Sequence, residues 1–335
     1  VEVNGVQYTG KNVVLATGSY ARTLPGLDID GKRVITSDQA LNMDYVPKSA
    51  IVLGGGVIGC EFASVWKSFG AEVTIIEALP RLIALEDETS SKQLERAFRK
   101  RKIEFEVGSK FQSHTVNEDS VTVTLENGKS FTAEVLLVAV GRGPVSAGIG
   151  YEEQGITMDR GYVIVDNKCR TNVPGVWAVG DLIPTLQLAH VGFQEGILVA
   201  EEIAGLNPRP INYDGVPRVT YSEPEVASVG LSTAKAKELG YEVEEISYDL
   251  AGNGKSQILK TAGSIKLVQQ KGGPVLGIHM VGARVGELIG EAQVIYNWEA
   301  NAQDVAPFVH AHPTMNEAMG EAFLALAGKP LHSHS

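Results

Sequence analysis

Short apolar runs alternate with segments of helical periodicity through the first half of the chain. The clearest case is residues 49–77, where an apolar run at 51–53 is followed by helical apolar spacing over 57–69 and by a second apolar run at 71–77. A short buried strand, a helix and another strand in this order are typical of a parallel sheet covered by helices. The pattern therefore predicts an α/β fold for this half.

Three apolar runs share a glycine at their carboxyl end. They cover residues 12–19, 134–143 and 173–182, and their glycines include Gly18 and Gly141. Each run alone is well explained as a core strand that needs a glycine in order to turn. Because the three runs share one form, we predict that their glycine-containing ends let the backbone come close to a ligand.

The second half of the chain has a different pattern. A proline-rich stretch at 206–218 predicts a linker. After it, strand-like runs near 217–222 and 269–282 alternate with helical patterns at 232–240 and 286–300. This mixture predicts a separate α+β domain.

The composition is that of a globular protein large enough for more than one domain, with 335 residues of which 44% are hydrophobic. Asp and Glu number 40 against 29 Lys and Arg, and the formal charge of -11 disfavours nucleic acid or an anionic membrane as the main partner. A basic cluster at 96–102 lies in a predicted helix over 87–103. Its acidic neighbours favour a solvated helix face.

Location and redox state are constrained only weakly by the sequence. We find neither an apolar stretch of membrane-spanning length nor a secretory signal pattern, so a cytoplasmic location is the default expectation. Cys60 and Cys169 lack a Cys-x-x-Cys spacing and are predicted to be buried apolar residues. His332 and His334, near the chain end, are expected to belong to a solvated tail.

Gly54, Gly56 and Gly59 form a Gly-x-Gly-x-x-Gly motif between the first strand and the helix of the strand–helix–strand unit. In such a motif the first glycine makes a tight turn, the second lets a pyrophosphate approach, and the third lets helix and strand pack closely. Glu77 ends the second strand 18 residues after Gly59 (77 − 59), where a carboxylate accepts hydrogen bonds from a ribose diol and repels a 2′-phosphate. The segment predicts NAD rather than NADP, and Arg81 is interpreted as a solvated turn residue.

The stretch HAHPTMNEAMGEA, residues 310–322, allows three interpretations. His310 and His312 have a spacing that suits metal ligands, although no convincing set of further ligands occurs in the sequence. His312 and Glu317 are also placed to form an acid–base pair if a helix begins at Pro313. His312 is equally suited to precede that helix as a cap, because proline favours the first helical turn.

Seven stretches, in this order over the whole chain, resemble the flavin disulfide reductase family and within it the dihydrolipoamide dehydrogenases. They are LATGS, GGGVIGCEF, AVGRGP, VPGVWAVGD, LAHVGFQEG, YSEPEVASVG and HAHPTMNE. The resemblance implies Rossmann-like FAD- and NAD-binding domains and a carboxyl-terminal α+β dimerisation domain. The FAD contacts that it implies are Thr17, Gly18, Ser19, Asp181, Gln187, Leu188, Ala189 and His190. The NAD site that it implies is lined by Gly54, Gly55, Gly56, Val57, Ile58, Gly59, Glu61, Glu77, Phe111 and Gly141.

The same resemblance implies an activity. In this family dihydrolipoamide gives two electrons to a redox disulfide, which passes them through FAD to NAD+. His312 matches the base that takes the thiol proton, Glu317 matches the carboxylate that orients this base, and Glu61 matches a carboxylate that pairs with a lysine beside the flavin. The base would act on the disulfide of the partner subunit, so the resemblance implies a homodimer that serves the lipoyl domains of 2-oxoacid dehydrogenase complexes.

The resemblance also implies a domain order and a missing part. We expect a remaining part of the FAD domain at 1–48, the NAD domain at 49–143, a return to the FAD domain at 144–212 and the interface domain at 213–335. The family begins with an FAD-binding βαβ unit and a Cys-x-x-x-x-Cys pair, and neither occurs in this sequence. We therefore expect residues 1–335 alone to be inactive. Two alternatives stay open: a glutathione-reductase-like enzyme, disfavoured by Glu77, and a non-catalytic NAD-binding and dimerisation fragment.

Overall fold

The computed structural model describes residues 1–332, which form two compact units. The first unit consists of residues 1–22 and 142–213. The second consists of residues 23–141 and the described part of 214–335. The chain passes between the two units after residues 22, 141 and 213.

The regular elements are numbered in chain order. The strands are β1 Glu2–Val3, β2 Val6–Gln7, β3 Val13–Leu15, β4 Ser19–Ala21, β5 Val34–Ile35, β6 Ser49–Leu53, β7 Glu72–Ile76, β8 Ile103–Glu106, β9 Phe111–Val116, β10 Val121–Leu125, β11 Ser130–Ala133, β12 Val135–Val138, β13 Arg142–Pro144, β14 Met158–Asp159, β15 Tyr162–Val163, β16 Val176–Ala178, β17 Arg218–Thr220, β18 Glu225–Gly230, β19 Val243–Asp249, β20 Ser264–Gln270 and β21 Val275–Gly282. The helices are α1 Ser37–Ala40, α2 Val57–Ser68, α3 Glu88–Lys100, α4 Ala189–Ile203, α5 Thr233–Glu238, α6 Gly254–Leu259, α7 Val285–Asn297, α8 Ala302–Val305 and α9 Asn316–Leu326. Within residues 1–332, no helix is both long enough and apolar enough to cross a membrane.

The first unit is built around a pair of parallel strands. β3 pairs in parallel with β16, and β4 pairs antiparallel with β13. The buried core of this unit includes Leu15, Val163, Ala178, Leu182 and Leu198. Because β3 and β16 run in the same direction, Gly18 and Gly180, which follow them, lie at the same end of the pair.

The second unit contains a parallel sheet with the strand order β5-β12-β6-β7-β8. The strand–helix–strand unit predicted from the pattern at 49–77 is confirmed as β6, α2 and β7. Its strands read as continuous apolar runs because both faces of the sheet are covered. The fully buried strand residues include Ile51, Val52, Val73, Ile75 and Leu137. The loop that contains the glycine motif follows β6 at the carboxyl end of this sheet.

Two antiparallel sheets complete the second unit. A three-stranded meander has the order β11-β10-β9, and a five-stranded sheet has the order β17-β18-β21-β20-β19. Apolar residues of α7 and α9 share one core with the larger sheet. This core includes Ile265, Leu267, Ile278, Met280, Ile289 and Phe323. The α+β architecture predicted for the second half of the chain is therefore confirmed.

A buried polar cluster joins the start of α3 to the larger antiparallel sheet. Asp87, the residue before α3, accepts hydrogen bonds from Lys266 Nζ at 3.0 and 3.2 Å. Glu86 accepts a hydrogen bond from Ser228 Oγ at 2.5 Å and one from Arg218 Nε at 3.3 Å. The buried charges of Asp87, Lys266 and Glu86 are therefore each paired, Glu86 with the half-buried Arg218, as buried charges require.

His279 belongs to this cluster and is predicted to make stability depend on pH. Burial lowers the pKa of His279, although its contact with the Leu231 carbonyl and the nearby Asp87 and Glu86 act in the opposite direction. The folded ring is neutral near pH 7, whereas the unfolded chain takes up a proton as the pH falls below about 6.5. Since the unfolded state then binds more protons, we expect the free energy of unfolding to fall, by up to about 1.4 kcal/mol per pH unit for this group.

Urea unfolding at about pH 7.5 and about pH 5.5 measures this dependence. We expect His279→Gln to flatten the slope between the two conditions. His114→Gln, on the surface meander, is the matched control and should leave the slope unchanged. An identical slope in wild type and His279→Gln would contradict the assignment.

The basic cluster at the end of α3 is not the uniformly solvated face that the sequence predicted. Arg101 donates hydrogen bonds to Ser64 Oγ at 2.7 Å and to the Glu223 carbonyl at 2.9 Å. Arg99 lies over the ring of Phe105, 4.3 Å from its centroid. Arg99 is nevertheless exposed, as predicted, and the prediction was wrong only for Arg101, whose guanidinium contacts Ser64 of α2.

Candidate active site and nucleotide-binding loops

The three motif glycines between β6 and α2 have different surroundings. Gly54 has a φ of 112°, and a Cβ atom there would lie 2.2 Å from the Ala139 carbonyl oxygen. Gly59 packs so closely that a Cβ atom would lie 1.8 Å from the Gly54 carbonyl oxygen. Gly56 is exposed, and a Cβ atom there would meet nothing within 4 Å. The loop is therefore tight against the sheet at Gly54 and Gly59 and open at Gly56.

The open side of this loop fits a phosphate group. Gly56 precedes α2, and within residues 1–332 no side chain caps this helix start. Val57 and Ile58 form the first turn, and the Val57 side chain is exposed. Uncapped N–H groups at the amino end of a helix attract anions, because they are unpaired donors and carry the positive end of the helix dipole. The geometry suits the pyrophosphate of a dinucleotide.

Glu77 ties the end of β7 to the glycine loop. Its carboxylate accepts hydrogen bonds from Gly55 N–H at 2.6 Å and from Leu79 N–H at 2.7 Å. Each oxygen keeps a further lone pair, so acceptance of a ribose hydroxyl is compatible with these contacts. Arg81 lies in the following turn as interpreted, but it is not simply solvated, because its guanidinium donates to the Ala84 carbonyl at 2.5 Å.

We predict that the protein binds NADH more tightly than NADPH, because Glu77 would face the extra phosphate of NADPH. Glu77→Gln keeps the side-chain size and one acceptor oxygen but removes the charge. It should narrow the preference mainly by improving NADPH binding, since like-charge repulsion costs several kcal/mol in close contact. Calorimetry with both nucleotides measures this, and Glu72→Gln at the exposed start of β7 is the matched control. Equal or tighter NADPH binding by the wild type would refute the assignment.

Three other residues that the resemblance assigns to the NAD site have distinct roles in the fold. Glu61 on α2 accepts a hydrogen bond from Tyr221 N–H at 2.8 Å, and burial raises its pKa although this hydrogen bond acts in the opposite direction. Gly141 follows β12 with a φ of 108° and is exposed. Phe111 begins β9 and packs against the apolar core of the parallel sheet. Gly141 is thus open to a ligand, Glu61 is half-buried, and Phe111 is chiefly a core contact.

In the first unit, the ends of the two parallel strands bring Ser19 and Asp181 together. Ser19 Oγ donates to Asp181 Oδ2 at 2.5 Å. Arg142 donates to Ser19 Oγ at 2.6 Å and to the Ser19 carbonyl at 2.8 Å. Thr17 Oγ1 donates to the Val145 carbonyl at 2.5 Å. Arg142 was not predicted as a site residue, because its signal in the sequence is only its position directly after a glycine-ended strand.

The start of α4 lies in the same unit and offers unpaired donors. Gln187 Nε2 is buried and has no hydrogen-bond partner among the described residues. Leu188 precedes the helix without capping it, and Ala189 and His190 are exposed in its first turn. Gly18 has a φ of 74° and open space where a Cβ atom would be. A buried donor without a partner and an uncapped helix start fit the acceptor-rich edge and phosphates of FAD.

The stretch HAHPTMNE brings His312 and Glu317 together. His312 Nδ1 lies 2.8 Å from Glu317 Oε1, and Glu317 Oε2 accepts the Thr314 N–H at 2.7 Å. The His312 side chain is 77% exposed, whereas that of Glu317 is 25% exposed. Burial favours a higher pKa for Glu317, but Thr314 N–H and His312 together outweigh it and lower that pKa. The carboxylate therefore holds one imidazole nitrogen and leaves the other facing outward, as a general base requires.

The local backbone at this pair differs from the prediction. Helix α9 begins at Asn316 after Met315, so Pro313 does not open it and His312 does not cap it. A residue before proline is disfavoured from the helical conformation, and residues 312–315 form a bend instead. Glu317 reaches His312 from the first turn of α9 across this bend.

His310 contacts a different carboxylate from His312. His310 Nε2 lies 2.8 Å from Glu291 Oε1, and a Cβ atom at Gly320 would lie 2.6 Å from His310 Nδ1. In the described part of the chain, no group of three or more His, Cys, Asp and Glu residues is arranged to hold a metal ion. Sequence analysis missed Glu291 because it lies 19 residues earlier on another helix.

The predictions for the chain end and the cysteines had different outcomes. His332 is not simply solvated, because its Nδ1 lies 2.8 Å from Glu321 Oε1 and its N–H donates to Glu321 Oε2. His334 lies outside the described residues. Cys60 and Cys169 are buried free thiols, as predicted. Burial raises both thiol pKa values, that of Cys169 to about 12, so neither forms a reactive thiolate near pH 7.

The chain belongs to the pyridine nucleotide-disulphide oxidoreductase family. Residues 1–196 match the profile of that family, and residues 216–323 match its dimerisation domain. The fold described above is that of this class, so the predicted α/β fold with an α+β dimerisation domain is confirmed.

Relatives and solved structures narrow the assignment. The chain is 40% identical to dihydrolipoyl dehydrogenase of Bacillus subtilis, with 96% of this chain and 69% of that protein covered. It is 42% identical to the mitochondrial enzyme of Schizosaccharomyces pombe, where the coverage is 96% and 65%. The structure of LpdA from Mycobacterium tuberculosis superposes with a TM-score of 0.88 at 28% identity over 94% of this chain and 69% of that one. The resemblance to FAD- and NAD-dependent dihydrolipoamide dehydrogenases is thereby confirmed, and the chain spans about two thirds of these relatives.

Proposed function

We propose that the protein functions as an FAD-dependent dihydrolipoamide dehydrogenase that reduces NAD+. The observation that carries the proposal is the His312–Glu317 pair, in which a carboxylate holds one imidazole nitrogen and the other is exposed. A thiol attacks a disulfide only as the thiolate, and a positioned neutral imidazole takes its proton near neutral pH. His312 Nε2 is therefore the proton acceptor, and Glu317 stabilises the imidazolium that results.

The two nucleotide loops support the cofactors of this activity. FAD and NAD(H), when bound, supply hydride transfer. The residues that would hold NAD are those of the glycine loop with Glu77 and Gly141, together with the half-buried Glu61 on α2. The residues that would hold FAD are Thr17, Gly18, Ser19, Asp181, Gln187, Leu188, Ala189 and His190. In this proposal Arg142 acts with them, because it fixes Ser19 against Asp181.

The carboxyl-terminal domain supports a homodimer. The matched dimerisation domain covers residues 216–323. Trp298, Phe308 and Val309 in this region are 82%, 62% and 98% exposed, and large exposed apolar groups of this kind fit a face that a second copy covers. Lipoyl domains of 2-oxoacid dehydrogenase complexes as partners and a cytoplasmic location stay predictions, as do the domain boundaries at 48, 143 and 212.

Turnover by the holoenzyme that contains this chain tests the proposal. Dihydrolipoamide with NAD+ should give NADH formation at a rate on the order of 1–1000 per second. Reduced glutathione with NADP+ tests the glutathione-reductase-like alternative. This pair should give much slower turnover than dihydrolipoamide with NAD+. Faster turnover with the glutathione pair, or NAD(H) binding without turnover of either thiol, would replace the proposal with one of the two alternatives.

A further inference from the structure

We propose that Glu291 is a positioning residue for the His312–Glu317 pair, because its single carboxylate fastens the chain on both sides of His312. This inference rests on the proposed function, since it assigns Glu291 a part in removing the thiol proton. Glu291 Oε1 lies 2.8 Å from His310 Nε2, and Glu291 Oε2 accepts a hydrogen bond from Asn316 Nδ2 at 2.7 Å. His310 comes two residues before His312, and Asn316 comes directly before Glu317.

The ring of His310 is clamped between two helices. Its side chain is 12% exposed, and Glu291 on α7 contacts one ring nitrogen. On its other side, a Cβ atom at Gly320 of α9 would lie 2.6 Å from Nδ1 and 3.0 Å from Cε1 of the ring. Only glycine at position 320 leaves room for the imidazole, so the ring fixes the loop against α9 as well as α7.

Besides the Glu317 carboxylate, which accepts the Thr314 N–H at 2.7 Å, two contacts between neutral groups hold the loop. Thr314 Oγ1 donates to the Ala311 carbonyl at 2.6 Å, and Asn253 Nδ2 donates to the Thr314 carbonyl at 3.1 Å. Hydrogen bonds to an ionised acceptor are stronger than neutral ones. Glu291 supplies such an acceptor to two donors at once, and it ties the loop to α7, whereas Glu317 ties it to α9.

His312 depends on these anchors more than its neighbours do. Its side chain is 77% exposed, and its hydrogen bond to Glu317 holds the ring. His312 and Glu317 both lie next to residues that Glu291 holds, namely His310 and Asn316. A shift of this segment moves the base relative to the thiol, and a misplacement of about 1 Å costs on the order of 100-fold in rate.

The fold is expected to tolerate the loss of the Glu291 charge. The buried face of α7 is formed by other residues, including Leu288, Ile289, Ala292 and Ile295. Glu291 itself is 26% exposed, so water reaches the site. A substitution there therefore tests the position of the loop without emptying the core.

Glu291→Gln in the holoenzyme keeps the side-chain size but leaves one acceptor oxygen for two donors. We expect reduction of the enzyme by dihydrolipoamide to slow by about 10- to 100-fold. The loss should fall on kcat, with KM little changed. NADH-dependent dye reduction, which needs no thiol deprotonation, and the thermal midpoint should match the wild type. Glu287→Gln, the same change at an exposed position of α7, should leave all of these values unaltered.

Two further measurements separate positioning from a general structural effect. Asn316→Ala should also slow reduction of the enzyme by dihydrolipoamide. The double variant Glu291→Gln with Asn316→Ala should slow it by less than the product of the two single-variant factors, because both substitutions remove the same Glu291–Asn316 contact. Nitrogen NMR of the His312 imidazole should show Nδ1–H hydrogen-bonded in the wild type and altered in Glu291→Gln. This signal tests positioning even if the wild type fails to oxidise dihydrolipoamide, in which case the proposed function alone is refuted.

Three results would overturn the inference. One is an unchanged dihydrolipoamide rate with unchanged His312 signals in Glu291→Gln. Another is a parallel loss of dye reduction and thermal stability, which would show that Glu291 only supports the fold. The third is an equal loss in Glu287→Gln, which would attribute the effect to the charge of α7 in general.

Discussion

Replacing His312 by glutamine is expected to slow dihydrolipoamide oxidation by about 100- to 10,000-fold, the usual contribution of a general base. Glutamine occupies similar space and still donates to Glu317, but it cannot take a proton. The loss should appear in the rate at which dihydrolipoamide reduces the holoenzyme, measured by rapid mixing. NADH-dependent dye reduction should be largely retained, because it does not require the thiol to be deprotonated.

Glu317→Gln tests the contribution of the carboxylate separately from that of the base, His312. The structure gives Glu317 two partners, His312 Nδ1 and the Thr314 N–H, at 2.8 and 2.7 Å. A glutamine keeps one acceptor oxygen but no longer stabilises the imidazolium by its charge, so the loss should have the same direction and be smaller than that of His312→Gln. Intact turnover in His312→Gln would refute the assignment of the base. Selective loss in His310→Gln, together with a bound metal ion, would favour metal ligation instead.

The parts of the fold that could be predicted from sequence are those with a local signal. The unit at 49–77 shows both periodicities and its glycine spacing within one short segment, and Gly54 and Gly59 are required by close contacts with the Ala139 and Gly54 carbonyl oxygens. The α+β class of the dimerisation domain was predictable for the same reason, because its hairpin and its helices each show a local hydrophobic pattern. Chemistry that depends on neighbours in sequence, such as His312 and Glu317, was likewise accessible.

The contacts that sequence analysis missed join segments that meet only in the folded chain. Arg142 contacts Ser19 across 123 positions because β13 pairs with β4, and no local pattern encodes that pairing. Glu291 reads as an ordinary acidic residue on a helix until α7 and α9 are packed together. The preference of proline for a first helical turn did not decide the start of α9, which begins three residues after Pro313, at Asn316.

The glycine loop allows a prediction that separates folding from nucleotide binding. Gly59→Ala would place a Cβ atom 1.8 Å from the Gly54 carbonyl oxygen, which forces α2 away from β6. We expect the free energy of unfolding to fall by about 1–3 kcal/mol, the usual cost of overpacking, with NADH binding lost as the loop distorts. Urea unfolding and calorimetry measure the two effects.

Gly56→Ala is the matched variant, because the same methyl group enters open space there. Gly56 has a φ of -74°, which alanine adopts readily, and a Cβ atom would meet nothing within 4 Å of the protein. Stability should therefore change by no more than about 1 kcal/mol, the difference between glycine and alanine before a helix. NADH affinity should nevertheless fall by about tenfold or more, because the methyl group occupies the approach of the pyrophosphate to the amino end of α2. Wild-type NADH binding by Gly56→Ala would show that the dinucleotide does not approach the loop from its open side, and unaltered stability of Gly59→Ala would show that the contact with Gly54 does not constrain α2.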